Sequence, residues 1–388
     1  MAARKNVNIK NESKVVQDVN SIQNKMPNEH LIKKIKKKDK EKNSSWKYIL
    51  SSSLKCIAFI LVLPPFLNFA ALIQEEKSFK PEGIMIDVRH GQKLYKSCYG
   101  QGTPTVILDA PIGYSSDIWN LIYPEIAKIT KVCIYDRAGL GYSEKPKLGN
   151  ETKNGGHPYT VERMVEDFHR LFDVEEKPLV LVGANLGASI AKFYTQVFSN
   201  SVAYGVFINP IFEELFLGED NPWNKYWFHS LLPSLQLKHF SAALGLSRIG
   251  LQTGVLNHAM NYDTVNIDVI KRQKYLQCKP GHVSSIVEEH FYLNESLSQL
   301  RMLHKLRPFP RMVPVQLIWT SKYSDSISND KNEIWLKSCD IYTKDETNPN
   351  VKSLKLKGSL EQVLLTKHQT VVQVIVKILS TYKNTKNI

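Results

Sequence analysis

Residues 178–199 constrain this chain more tightly than any other stretch. Leu179-Val180-Leu181-Val182 is a short, wholly apolar run, as expected for a strand buried on both faces of a parallel sheet. Gly183-Ala184-Asn185-Leu186-Gly187 then turns the chain sharply, and from Ala188 onward the pattern is helical. Ala188, Ile190, Ala191, Tyr194, Val197 and Phe198 form its expected buried face, and Ser189 is small enough not to obstruct the first turn. The two glycines let the turn close, and Asn185 stands at its apex. Asn is among the non-glycine residues that best tolerate positive φ, which such a turn demands. Taken alone, Gly-x-x-x-Gly also fits an ordinary strand–turn–helix unit. The flanking chain decides between the two.

Residues 83–88 and 93–99, separated by a turn at His90-Gly91, form an expected antiparallel hairpin. Residues 105–109 follow as a buried strand, residues 119–129 as an amphipathic helix and residues 131–135 as the next strand. Val161, Met164, Val165, Phe168, Leu171 and Phe172 recur at helical spacing, with Thr160 as N-cap. After the central unit come a strand over 202–208, strands over 314–320 and 353–357, and a last helix over 369–379. Strands alternating with helices predict an α/β domain, a mostly parallel sheet with helices on both faces.

The chain resembles the α/β-hydrolase family over residues 83–382. The resemblance rests on Asp136-Arg137-Ala138-Gly139-Leu140-Gly141-Tyr142-Ser143, which matches Asp-Arg-x-Gly-x-Gly-x-Ser of many members, and on the spacing of the elbow and strands. It implies a core over 83–210 and 309–382, with a helical cap inserted at 211–308. In the family the Asp-Arg loop is mainly structural and its Ser can start a helix, so it receives no catalytic role. Trp223, Tyr226, Trp227, Phe228, Leu231 and Leu232 would roof a pocket or, as ordinary burial preferences favour, pack the cap core.

The elbow apex of a working member carries a nucleophile, and a carboxamide at Asn185 is a poor one. The family's histidine falls in Gly358-Ser359-Leu360-Glu361, where Glu361 takes its place, and Gln362 to Leu365 leads on to the last helix. His368 is the nearest histidine. Asp325 is the best match for the orienting acid, two residues later than the commonest spacing, where Tyr323 falls. The oxyanion hole would use the N–H of Leu186 and, because Pro111 lacks one, that of Ile112. Loss at three separate positions implies a protein without hydrolytic chemistry. No metal or cofactor motif is present: paired His spacing, Cys-x-x-Cys and a Gly-rich Lys-Ser/Thr loop are all missing.

The N-terminus has a different character. The first 55 residues carry nine of the fourteen net positive charges, including Lys33, Lys34, Lys36, Lys37, Lys38, Lys40 and Lys42. Residues 1–47 are expected to form a basic, disordered cytosolic tail. Such a block also fits nucleic-acid binding or nuclear import, but the apolar segment that follows favours a membrane and no nucleic acid. Residues 48–74 approximate the ~20 apolar residues that cross a bilayer, and Pro64-Pro65 should kink or end the helix. The charge asymmetry puts the N-terminus in the cytosol, as in a single-pass type II signal anchor. A cleaved signal peptide or a hairpin anchor are the alternatives. The domain would then face the lumen or exterior, within the secretory pathway or at the plasma membrane. Sequons at Asn150 and Asn294 would become glycosylation acceptors there, and Cys98, Cys133, Cys278 and Cys339 could form disulfides, although Cys133 reads as simply buried. The expected function is a non-catalytic protein that binds an apolar ligand or a protein partner. The alternative is an ester or lipid hydrolase that uses other residues.

Overall fold

The computed structural model describes residues 29–89, 91–146, 157–218, 220–257, 260, 263–344 and 350–386. His90 and the Asn150 sequon lie outside the described residues. The chain divides into two compact units, the first ending at Leu63 and the second beginning at Pro64.

Helix α1 (Glu29–Ser78) begins inside the stretch expected to stay disordered, and it continues through Pro64 and Pro65 instead of stopping there. Once an apolar stretch has nucleated a helix, each further lysine, a good helix former, adds a hydrogen bond at little cost. Within the first unit, Trp46, Tyr48, Leu50, Leu54, Phe59 and Ile60 are all more than 60% exposed. The apolar part, Trp46–Ser78, contains an 18-residue window of mean hydropathy 2.4, and one such helix is compatible with a single-pass anchor.

The second unit is built on one eight-stranded sheet: β1 (Ile84–Arg89), β2 (Gln92–Tyr99), β3 (Val106–Asp109), β4 (Val132–Tyr135), β5 (Leu179–Ala184), β6 (Val202–Ile208), β7 (Val315–Thr320) and β8 (Val351–Leu356). The order is β1-β2-β4-β3-β5-β6-β7-β8. β1 pairs β2 and β2 pairs β4 antiparallel, and every other pairing is parallel. Alternate residues serve opposite faces, as the pleat requires. Leu179 and Leu181 join one apolar cluster, and Val180, Val182 and Ala184 join the other. Helices α3 (Val161–Leu171), α4 (Leu186–Val197) and α11 (Asn329–Lys344) cover the first face. Helices α2 (Tyr123–Ala127), α12 (Leu360–Leu365) and α13 (His368–Lys386) cover the second.

The helix expected over 119–129 is shorter and broken. A 3₁₀ turn, Ser116–Trp119, precedes α2, because Pro124 opens a new helix more readily than it continues one. Cys133 is not merely buried: it is disulfide-bonded to Cys98, which stands directly opposite in the β2–β4 register. Cys278 and Cys339 are free and buried, and Cys56 is exposed. Asn294 is exposed in the first turn of α10 (Leu293–Leu306), whereas Ser296 of the same sequon is buried and accepts from the Val161 N–H at 3.0 Å.

Between β6 and β7 lies the cap: α5 (Pro222–Tyr226), a π turn at Trp227–Leu231, α6 (Leu232–Ala243), α7 (Leu246–Gln252), α8 (Ile267–Cys278), α9 (Pro280–Phe291) and α10. Trp223 and Trp227 are each 1% exposed, with Tyr226, Phe228 and Leu231 packed against the same cluster. These rings form the cap core.

Candidate functional site at the elbow

In an open parallel sheet, ligands and chemistry gather at the carboxyl edge of the strands. Asp109, Ala184, Ile208 and Thr320 end β3, β5, β6 and β7 there. At the end of β5 the chain makes the expected elbow. Asn185 has φ 53° and ψ −112°, and α4 starts at the next residue. The glycines act through close approach: a Cβ on Gly187 would lie 2.5 Å from the Asp109 carbonyl oxygen, and one on Gly183 would lie 2.2 Å from that of Gly187. Asn185 N–H is fixed by the Ile208 carbonyl at 2.8 Å.

The Asn185 side chain is enclosed, with the residue 1% exposed. Its Nδ2 donates to the Tyr323 hydroxyl at 3.0 Å, and its Oδ1 is buried without a protein donor. Tyr323, at the commonest position for the orienting acid, thus meets the residue at the nucleophile position. Burial raises its phenol pKa, and the nearby charge of Glu361 raises it further. Trp223 packs edge-on to Tyr323 with centroids 5.0 Å apart, and Trp335 lies behind at 5.9 Å. Aromatic cap and core residues therefore close over the elbow.

The other sequence-predicted positions are close by but differently engaged. Asp325 Oδ2 accepts from Ser359 Oγ at 2.9 Å and from Gln362 Nε2 at 2.8 Å, so this half-exposed carboxylate is tied to the N-terminus of α12. Ser359 caps that helix, and Glu361 belongs to its first turn, where an acidic residue is favoured by the helix dipole. Glu361 and the four residues after it are helical, and the last helix follows separately. Burial lifts the Glu361 carboxyl above its usual range, as does Asp325, against opposing hydrogen bonds from Ser359 and Tyr114. His368 opens α13, and its Nδ1 is buried without a partner. Leu186 is the first residue of α4, where a backbone N–H has no intrahelical acceptor. Ile112 is 6% exposed in the loop after β3.

The loop carrying Ile112 is held by a group that sequence reasoning missed, Glu289 of α9. Gly113 N–H donates to Glu289 Oε2 at 2.7 Å. Arg137 donates to both Glu289 oxygens, at 2.7 and 3.1 Å, and also to Asp109, the Ala110 carbonyl and the Pro111 carbonyl, each at 2.7 Å. Tyr135 adds a 2.6 Å bond to Asp109. These ionic side chains are at most 5% exposed, so the guanidinium fork is satisfied wholly by protein. Asp136 accepts from the N–H groups of Ser116 and Tyr142 at 2.7 and 2.9 Å. Ser143 does not start a helix: its hydroxyl accepts from Tyr95 N–H at 2.9 Å and donates to the Asp136 carbonyl at 2.5 Å.

One signal for Glu289 was present in the sequence. His282, Ser285 and Glu289 stand at i, i+3 and i+7 on α9, and each is at most 4% exposed, a polar stripe facing inward. His282 accepts from Gly141 N–H at 3.2 Å, and burial lowers its pKa to about 3. His290 donates from Nδ1 to the Ile286 carbonyl at 2.7 Å, stacks on Trp227 and has its pKa lowered by burial to about 4. Cys98, Cys133 and Glu175 are close enough together to suggest a metal. The sulfurs are bonded to each other, however, and Glu175 is paired with Lys96 and Lys131 at 3.0 and 2.6 Å.

Solved structures similar to this chain include several named as known or candidate hydrolases. A candidate lipase from Acinetobacter baumannii is 17% identical with a TM-score of 0.55, over 82% of this chain and 97% of that one. The epoxide hydrolase CorEH is 19% identical with a TM-score of 0.55, over 78% of this chain and 100% of its own. The Bacillus megaterium epoxide hydrolase, solved with an inhibitor, is 19% identical with a TM-score of 0.54, over 76% and 100%. No family model and no curated protein sequence matches the chain. At these identities the likeness establishes architecture: the chain has the α/β-hydrolase fold with a helical cap.

Proposed function

We propose that this α/β-hydrolase-fold chain is a membrane-anchored protein that does not hydrolyse and whose domain engages a protein partner or an apolar ligand. The observation that carries this is the Asn185–Tyr323 hydrogen bond. An amide that donates to a buried phenol cannot attack a carbonyl carbon, and neither group takes up the proton a nucleophile must lose. Asn185, Asp325 and Glu361 are then the degenerate triad positions, and Ile112 and Leu186 are what remains of the oxyanion hole. The buried imidazoles His282 and His290 are bonded to the Gly141 N–H and the Ile286 carbonyl. Trp223 packed on Tyr323 favours a partner at the surface over a ligand held at the elbow.

Anchoring is supported by the apolar helix, and the N-terminal lysines support a cytosolic N-terminus. The Cys98–Cys133 disulfide supports an oxidising compartment for the domain. Protease treatment of intact microsomes should then spare the domain, and digestion there would reverse the orientation.

The catalytic test is direct. The purified chain should hydrolyse no ester and take no fluorophosphonate label at Asn185, and Asn185→Ser alone should restore little. Ester hydrolysis by the unmodified chain, kept in Asn185→Ala but abolished by another single substitution under the cap, would overturn the proposal.

A further inference from the structure

We propose that the outer edge of β8 is a docking site for an extended, acidic segment of a protein partner, which adds to the sheet as a further strand. This rests on the reading above that the domain engages a protein partner, and it names the surface and the chemistry of that partner.

Among the described residues β8 ends the sheet and pairs with β7 alone. The carbonyls turned towards β7 belong to even-numbered residues. Asn350 accepts from Val315 N–H at 3.1 Å and Leu356 from Ser321 N–H at 2.8 Å. The Lys352 carbonyl accepts from Gln316 Nε2 at 3.1 Å on the same side. A strand alternates with period two, so the N–H and C=O groups of Val351, Ser353 and Lys355 point away from β7. The Lys357 carbonyl, next in that row, already accepts from Lys367 Nζ at 2.6 Å, so the open ladder ends at Lys355. The opposite edge of the sheet is better covered: Arg170 of α3 donates to the Val88 carbonyl of β1 at 2.8 Å, and Arg89 of the same strand is paired with Glu166.

Charge decides what can pair there. Residues 350–357 include Lys352, Lys355 and Lys357 and no acid, and all three lysines are exposed. Exposed Arg311 stands at the start of the strand, where its carbonyl accepts from Asn350 Nδ2 at 2.7 Å. The Lys355 ammonium lies 4.5 Å from the centroid of the Trp319 ring on β7, a cation–π contact that holds it beside the edge. Lysines on an edge strand discourage indiscriminate pairing, because like charges facing each other across two strands repel and opposite charges attract. A second copy would set three lysines against three with no carboxylate between them. An acidic segment answers both the open backbone groups and the cations. Its main chain supplies affinity through the ladder, and its charges supply selectivity.

The probe is a dye-labelled peptide, Thr-Val-Glu-Val-Thr-Glu-Val, whose glutamates stand three apart, as Lys352 and Lys355 do. It is titrated with the full chain in detergent at low salt and read by fluorescence anisotropy. Binding should saturate and be about tenfold tighter than for the same peptide with lysine in place of both glutamates. Lys352→Glu combined with Lys355→Glu should reverse that preference. Ser353→Pro removes one outward N–H and spares the bonds to β7, so it should weaken binding about tenfold with an unchanged circular dichroism spectrum. Should that variant unfold, the charge-reversed pair, whose side chains are exposed, still decides. No saturable binding, or binding that ignores the charge reversal, would overturn the docking site. Self-association of the chain that Ser353→Pro abolishes would assign the edge to a second copy and overturn the acidic partner. The same samples are assayed for ester hydrolysis: an inert chain that ignores the peptide loses the edge alone, whereas hydrolysis would count against the reading beneath it.

Discussion

At the elbow, the apex side chain makes one hydrogen bond, to Tyr323, and leaves Oδ1 without a donor. At the neighbouring Asp136–Ser143 loop, Arg137 is fully engaged by two carboxylates and two carbonyls, and Asp136 and Ser143 each tie separate segments together. Both turns sit at the same edge of one sheet. The elbow's backbone shape needs no reactive side chain, because Gly183, Gly187 and a positive-φ Asn satisfy the sterics by themselves. The loop's shape, by contrast, is made by its polar and charged side chains.

The largest effect should come from breaking the charged side of this comparison. Arg137→Met leaves Asp109 and Glu289 buried without a counter-charge, which typically costs about 3–5 kcal/mol. Urea unfolding of the detergent-solubilised chain should show that loss, and an unchanged midpoint would mean the network is dispensable.

Acid should act on the same region through α9. His282 and His290 are held neutral when folded, while an unfolded imidazole titrates near 6.5. Below pH 6.5 the unfolded chain binds protons that the folded chain refuses, so stability falls with falling pH, by about 1.4 kcal/mol per pH unit for each histidine. The decline should continue until pH passes the folded values of about 4 and 3. His290→Gln should remove one histidine's share of that slope, measured as unfolding midpoint against pH.

The elbow should respond more weakly. Asn185→Val places a β-branched residue at φ 53°, a strain of about 1–3 kcal/mol. Asn185→Gly should be tolerated better, and equal losses for the two would point to the side-chain bond as the cause. Tyr323→Phe removes that bond alone and should cost about 1 kcal/mol, with no gain of hydrolysis.

Sequence by itself determined what depends on near neighbours. The apolar run before Gly183, the helical spacing of residues 161–172 and the Asn at the apex were all readable, because side-chain period and φ preference are local properties. The order of strands and helices was enough for the fold. Tertiary structure decided what depends on register and on contacts between distant segments. Cys133 faces Cys98 only because β2 and β4 pair in one alignment, and Glu289 reaches Gly113 across 176 positions of chain. Helix α1 passes Pro64 and Pro65 and bonds Asn68 into the cap, where local propensity alone predicted a kink or an end. Tyr323 meets Asn185 by the same route: two strand ends, 138 residues apart, are brought together by the sheet between them.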